Sequence, residues 1–95
     1  INNKHQKLEK KKMAIKCVLV DIDNVLITEI EEVMAEVGEP DCRLVKPYRF
    51  FEDGNMKPWI KASNQNEFML RSEDILTIAD PTPEVVQEYI ELTKE

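Results

Sequence analysis

The sequence predicts a small, mainly β domain, a five-stranded open barrel, followed by one C-terminal α-helix. Three observations carry this expectation. Short apolar runs rich in β-branched residues recur at residues 15–20, 25–34, 42–51, 68–70 and 75–78, too short or too β-branched for helices. Turn residues punctuate them: Asp21-Ile22-Asp23-Asn24, Gly38-Glu39-Pro40-Asp41 and Asp53-Gly54. Only after Asp80-Pro81 does the apolar spacing change to a helical one.

Residues 15–20 (IKCVLV) form a strongly apolar first strand, and Asp21 to Asn24 supply its turn. Residues 25–34 admit two readings. With period two, Leu26, Thr28, Ile30 and Met34 share a face. With period 3.6, Ile30, Val33, Met34 and Val37 line a stripe, Thr28 and Glu31 make a capping box, and Gly38 stops the helix. The strand is taken, because the β-branched start and the preceding hairpin turn agree with the rest of the chain. Residues 42–51 (CRLVKPYRFF) follow as a strand, with Pro47 marking an edge or a bulge because proline has no ladder donor. After the Asp53-Gly54 hairpin signal, residues 56–62 start the next strand, and Ser63-Asn64-Gln65-Asn66 form a polar tip before residues 68–70 resume it. Thr82 is an N-cap with Pro83 at the first helical position. Val85, Val86, Tyr89, Ile90 and Leu92 give the apolar side of a helix over residues 83–93.

The chain divides into a lysine-rich segment (residues 1–12), a β-barrel (13–80) and a helical end (81–95). Five lysines against Glu9 give residues 1–12 a charge of +4, whereas residues 13–95 carry 8 basic and 18 acidic side chains, net −10. An acidic body does not hold phosphate chains through bulk charge, so nucleic-acid binding requires a localised basic patch. The basic segment reads as an arm, as a short helix packed by Leu8, or as residues upstream of a natural start at Met13, with His5 solvated. Cys17 and Cys42 read as reduced, core-facing thiols, and no apolar run approaches membrane-spanning length, so a soluble cytoplasmic protein is expected. A 95-residue chain buries a modest core. An open barrel of this size also leaves strand edges that recruit neighbours. Assembly into a closed ring of copies is the expected remedy.

Leu70-Arg71-Ser72-Glu73-Asp74-Ile75 resembles the second signature of Sm-like proteins: an apolar residue, Arg-Gly, two polar residues, then an apolar strand, with Ser72 in the glycine place. The resemblance covers most of residues 13–80. Through Lys46-Pro47-Tyr48, Pro58-Trp59, residues 74–81 and the Tyr89-containing end, the chain also resembles a group of small uncharacterised Sm-like proteins of marine cyanophage and ocean-metagenome sequences. The resemblance implies an SH3-type barrel in a homo-oligomeric ring of about five to seven subunits, five first. It implies a non-catalytic role without cofactor in a phage-infected bacterial cytoplasm. Single-stranded RNA or DNA would bind at the pore through loops after the second and fourth strands. Carried over, Arg71 matches the arginine that contacts bases and phosphates, with Ser72 beside it. The Asp-x-x-Met-Asn pattern that holds a uridine in the family is missing around residues 36–44. That loop is acidic instead, with Glu36, Glu39 and Asp41.

Read from the residues themselves, Arg43, Lys46, Tyr48 and Arg49 put cations and an aromatic on one strand, the mixture that single-stranded nucleic acid uses. Strict alternation places Lys46 with Tyr48 on one face and Arg43 with Arg49 on the other. The plain alternatives are a solvated edge strand for these residues, and for Arg71 an ion pair with Glu73, Asp74 or a neighbouring subunit. Trp59, Phe50, Phe51 and Phe68 read as core or subunit interface. Two other functions are weighed. Residues 17–26 (CVLVDIDNVL) resemble the first motif of haloacid-dehalogenase-type phosphatases, in which Asp21 would attack phosphorus and Asp23 act as general acid beside Mg²⁺. Against this, such a fold needs a parallel sheet larger than this chain, and Asp and Asn at a hairpin turn explain the residues. The acidic body also suits a ring that acts as a protein–protein scaffold.

Overall fold

The computed structural model describes residues 14–94. The arm or short helix expected for residues 1–12 lies outside them. The elements are β1 (Ala14–Asp21), β2 (Asn24–Glu32), β3 (Cys42–Phe50), β4 (Met56–Pro58), β5 (Glu67–Leu70), β6 (Thr77–Ala79) and helix α1 (Pro83–Thr93). They build one mainly β unit, an antiparallel open sheet in the order β4-β3-β2-β1-β6, with β5 also paired to β3.

Residues 25–34, readable in two ways, are strand as far as Glu32, and residues 33–41 are loop. Pairing decides this: Leu26 and Ile27 are buried between β1 and β3, which local helical spacing offers no equivalent of. The expected five strands become six. β4 and β5 occupy successive stretches of the same β3 edge, Met56 opposite Phe50 and Leu70 opposite Cys42. Residues 59–66 leave the sheet between them instead of continuing the strand. The cause lies in β3. Lys46 has a left-handed backbone (φ 54°) and precedes Pro47, so both residues face Thr28 alone and form a β-bulge. A left-handed non-glycine residue before proline is disfavoured twice over. Three groups hold it in place. Tyr89 Oη lies 3.1 Å and 2.9 Å from the carbonyl oxygens of Val45 and Lys46, buried Thr28 Oγ1 lies 3.1 Å from that of Val45, and the Lys46 N–H donates to Asn66 O.

The sheet buries apolar side chains on both faces. One face gathers Val18, Leu26 and Leu44, with Val20, Ile30, Trp59, Leu70 and Ile75 packed against them. The other gathers Ile27, Met56 and Tyr89, with Ile15, Cys17, Tyr48, Phe50 and Val85, and this is where α1 lies. Tyr89 meets Tyr48 edge-to-face at 6.0 Å, and Trp59 meets Phe68 likewise at 6.0 Å. The helix starts as its sequence requires: Thr82 Oγ1 accepts from the Val85 N–H at 3.3 Å, and Pro83 leads the first turn. Its apolar side is narrower than the spacing suggests, since Tyr89 alone is buried while Ile90 and Leu92 stay exposed. Gly54 (φ 91°) supplies the left-handed position of the β3–β4 turn.

Candidate nucleic-acid interface

The residues expected to contact nucleic acid fall into two groups. Arg71, Ser72 and Arg43 belong to the sheet end where β5 leads into a 3-10 turn (Ser72–Asp74) and the β2–β3 loop returns. Ser72 ties those two segments together: its N–H and hydroxyl donate to the two oxygens of Asp41 at 2.7 and 2.8 Å. Those bonds, the backbone N–H first, hold the Asp41 carboxyl below the usual range. Both arginines here are already neutralised. Arg71 Nε donates to Asp74 Oδ2 at 3.1 Å, and Arg43 reaches Glu31 at 2.9 Å and Glu67 at 3.6 Å. Each partner raises its guanidinium pKa, Glu31 for Arg43 and Asp74 for Arg71, so the charges are fixed and matched. With Glu32, Glu36, Glu39 and Glu73 on the same strands and loops, this end of the sheet is rich in acid.

Lys46 and Tyr48 lie beyond the bulge. Lys46 Nζ donates to Thr93 O at 3.3 Å, a cation at the C-terminus of α1 where the helix dipole favours it. Tyr48 packs on Tyr89. The bulge also overturns the expected division of faces. Tyr48 pairs with Ile27, Val45 with Glu29 and Arg43 with Glu31, so Arg43 shares a face with Tyr48, while Arg49 faces Leu26 on the other side. The extra residue at the bulge reverses the alternation that strict period two assumes.

A group that single residues did not announce sits at the opposite, hairpin end. Arg49 and Lys57 face each other directly across β3 and β4, and both cations lie over the Phe51 ring, at 4.7 and 5.9 Å. Neither enters an ion pair among the described residues, although Arg49 donates to the Asp23 carbonyl oxygen at 3.2 Å. The signal was present in the register that the Asp53-Gly54 turn imposes, which sets a lysine opposite an arginine. The neighbouring β1–β2 turn explains the Asp21-Asp23 pair: Asp21 accepts from the Asp23 N–H and from Asn24 Nδ2, both at 2.9 Å. The Asn24 amide is the leading cause of the depressed Asp21 pKa. The strand carrying Asp21 returns as an antiparallel hairpin, not through a crossover to a parallel strand. Among the described residues, no group of three or more His, Cys, Asp or Glu side chains is placed to hold a metal ion. No helix there is long and apolar enough to cross a membrane.

The fold and these clusters define a class: a small antiparallel β protein with one helix on a sheet face and oppositely charged groups at its two loop ends. Residues 13–94 match a family described as a family of unknown function (DUF6561), and the chain belongs to it. The comparison with curated proteins gives no match.

Proposed function

We propose that this chain is a non-catalytic, ring-forming module of Sm-like architecture that binds single-stranded nucleic acid. The observation that carries the binding role is the cluster of Arg49, Lys57 and Phe51. In a body of net charge −10 it sets two cations without carboxylate partners beside one aromatic ring. Cations that track phosphates and a ring on which bases stack are what sequence-tolerant single-strand binding needs. Directly opposed like charges disfavour the bare sheet, and an anion between them removes that cost. Assembly is supported by the sheet's two outer edges. β6 is exposed throughout with Ile78 47% accessible, and β5 presents Met69 at 49%. Between copies, each edge would find the backbone partner it lacks, closing a ring.

Sedimentation velocity should give a discrete species of about five to seven chains, as closed cyclic symmetry requires. Fluorescence anisotropy with labelled single-stranded RNA and DNA should show binding that falls linearly with the logarithm of salt. Arg49→Ala/Lys57→Ala should lower the slope by about two, one for each lost phosphate contact. A monomer overturns the ring. A ring that binds neither polymer at low salt leaves the second reading, a protein–protein scaffold, which the ion-paired state of Arg43 and Arg71 favours.

A further inference from the structure

Residues 59–66, the excursion between β4 and β5, do more than bridge two strands. Together with the last turn of α1 they enclose a groove of about 340 Å³, lined by Lys46, Trp59, Asn64, Asn66, Phe68 and Thr93 among others. That volume is at the lower end of small-ligand sites. The excursion is braced from within: the Trp59 N–H donates to Pro47 O at 3.0 Å, the Gln65 N–H to Ser63 Oγ at 3.0 Å, and Gln65 Nε2 to Glu67 O at 2.9 Å. Bracing consumes the Gln65 amide. The side-chain amides of Asn64 and Asn66 make no hydrogen bond to described residues, although both line the groove. Trp59 packs partly on the Val18–Leu26–Leu44 cluster and is half-exposed where it lines the groove. Lys46, whose ammonium donates to Thr93 O, brings a cation to the same wall.

We infer that this groove binds one nucleotide: the base against Trp59, its hydrogen-bonding edge on Asn64 and Asn66, and its phosphate toward Lys46. An indole offers a face for stacking, and a carboxamide presents a donor beside an acceptor, the pattern of a base edge. The cation favours a nucleotide over a neutral sugar, which would otherwise suit aromatic and amide walls. The inference deepens the nucleic-acid reading by adding a base-reading site apart from the Arg49–Lys57–Phe51 cluster.

Trp59 is the single tryptophan of the chain, so its fluorescence reports this groove directly. The full chain is titrated with adenosine and uridine monophosphates, with short oligoadenylate and oligouridylate, and with glucose and maltose. Saturable quenching or a spectral shift is expected with a nucleotide or its oligomer and not with the sugars. The comparison of monomer with oligomer tells a free nucleotide from a strand. Asn64→Ala/Asn66→Ala should weaken the response by about tenfold with an unchanged far-ultraviolet circular dichroism spectrum. No response to any nucleotide, a response to sugars alone, or equal affinity in the double variant overturns the groove. Anisotropy separates this from its parent. Oligomer binding that depends on Arg49 and Lys57 but leaves Trp59 silent removes the groove only. Monophosphate quenching without strand binding removes the parent reading and retains the groove.

Discussion

Tyr89 does two tasks that its place in a helical apolar stripe announces only in part. Its ring fills the core under α1, and its hydroxyl reaches the carbonyl oxygens of Val45 and Lys46 at the bulge. Burial is the leading reason that its phenol pKa is raised. Tyr89→Phe keeps the packing but leaves those carbonyls short of a donor. Urea denaturation should show a loss of about 1–3 kcal/mol, and an unchanged midpoint would deny the hydroxyl its role. Asp41 makes a second residue-level prediction. Its carboxyl is held below the ordinary value, so it binds its proton less readily folded than unfolded. The stability this adds is present above the unfolded pKa of about 3.9 and is lost as pH falls through the lower folded value. Ser72→Ala removes the hydroxyl bond and keeps the backbone one. An NMR titration should therefore find the Asp41 pKa moved part of the way back, and an identical titration in the variant would contradict the assignment.

At the level of elements, the bulge at Lys46 decides more than any single strand. It reverses the faces along β3, sends residues 59–66 out of the sheet, and thereby makes the groove beside α1. Lys46-Pro47 in the sequence announced an interruption, and Pro47 is where a bulge was expected. Which residue would turn left-handed was not legible, because that depends on Tyr89 and Thr28, 43 and 18 positions away along the chain, supplying the hydrogen bonds that sustain it. The edges give the element-scale prediction. Ile78→Lys places a charge on the exposed β6, where edge-to-edge pairing would bring the next copy. Sedimentation should then show monomer, with the circular dichroism spectrum retained. Unaltered assembly would place the interface elsewhere.

For the whole molecule, charge sets opposite salt dependences for the two proposed associations. Each chain carries −6 overall, so bringing copies together is opposed by repulsion that salt screens. Raising ionic strength from about 0.05 to about 0.5 M should strengthen self-association in light scattering while weakening binding to single strands in anisotropy. Parallel responses would mean that one of the associations is not electrostatic in the way the charge map requires. The same map explains why Arg71 drew attention as a sequence motif. A short signature shows an arginine, and only the folded chain shows Asp74 already beside it.

The strand-and-turn order, the antiparallel hairpins and the capped C-terminal helix were all legible along the chain. Each rests on interactions between residues close in sequence: β-branched runs, Asp-Gly and Asp-x-Asp-Asn turns, and Thr82-Pro83 at a helix start. Tertiary structure alone decided which cations are neutralised, which faces the residues of β3 occupy, and where a groove opens. Those outcomes depend on groups brought together from distant positions, whose pairing one misplaced residue in a strand reverses.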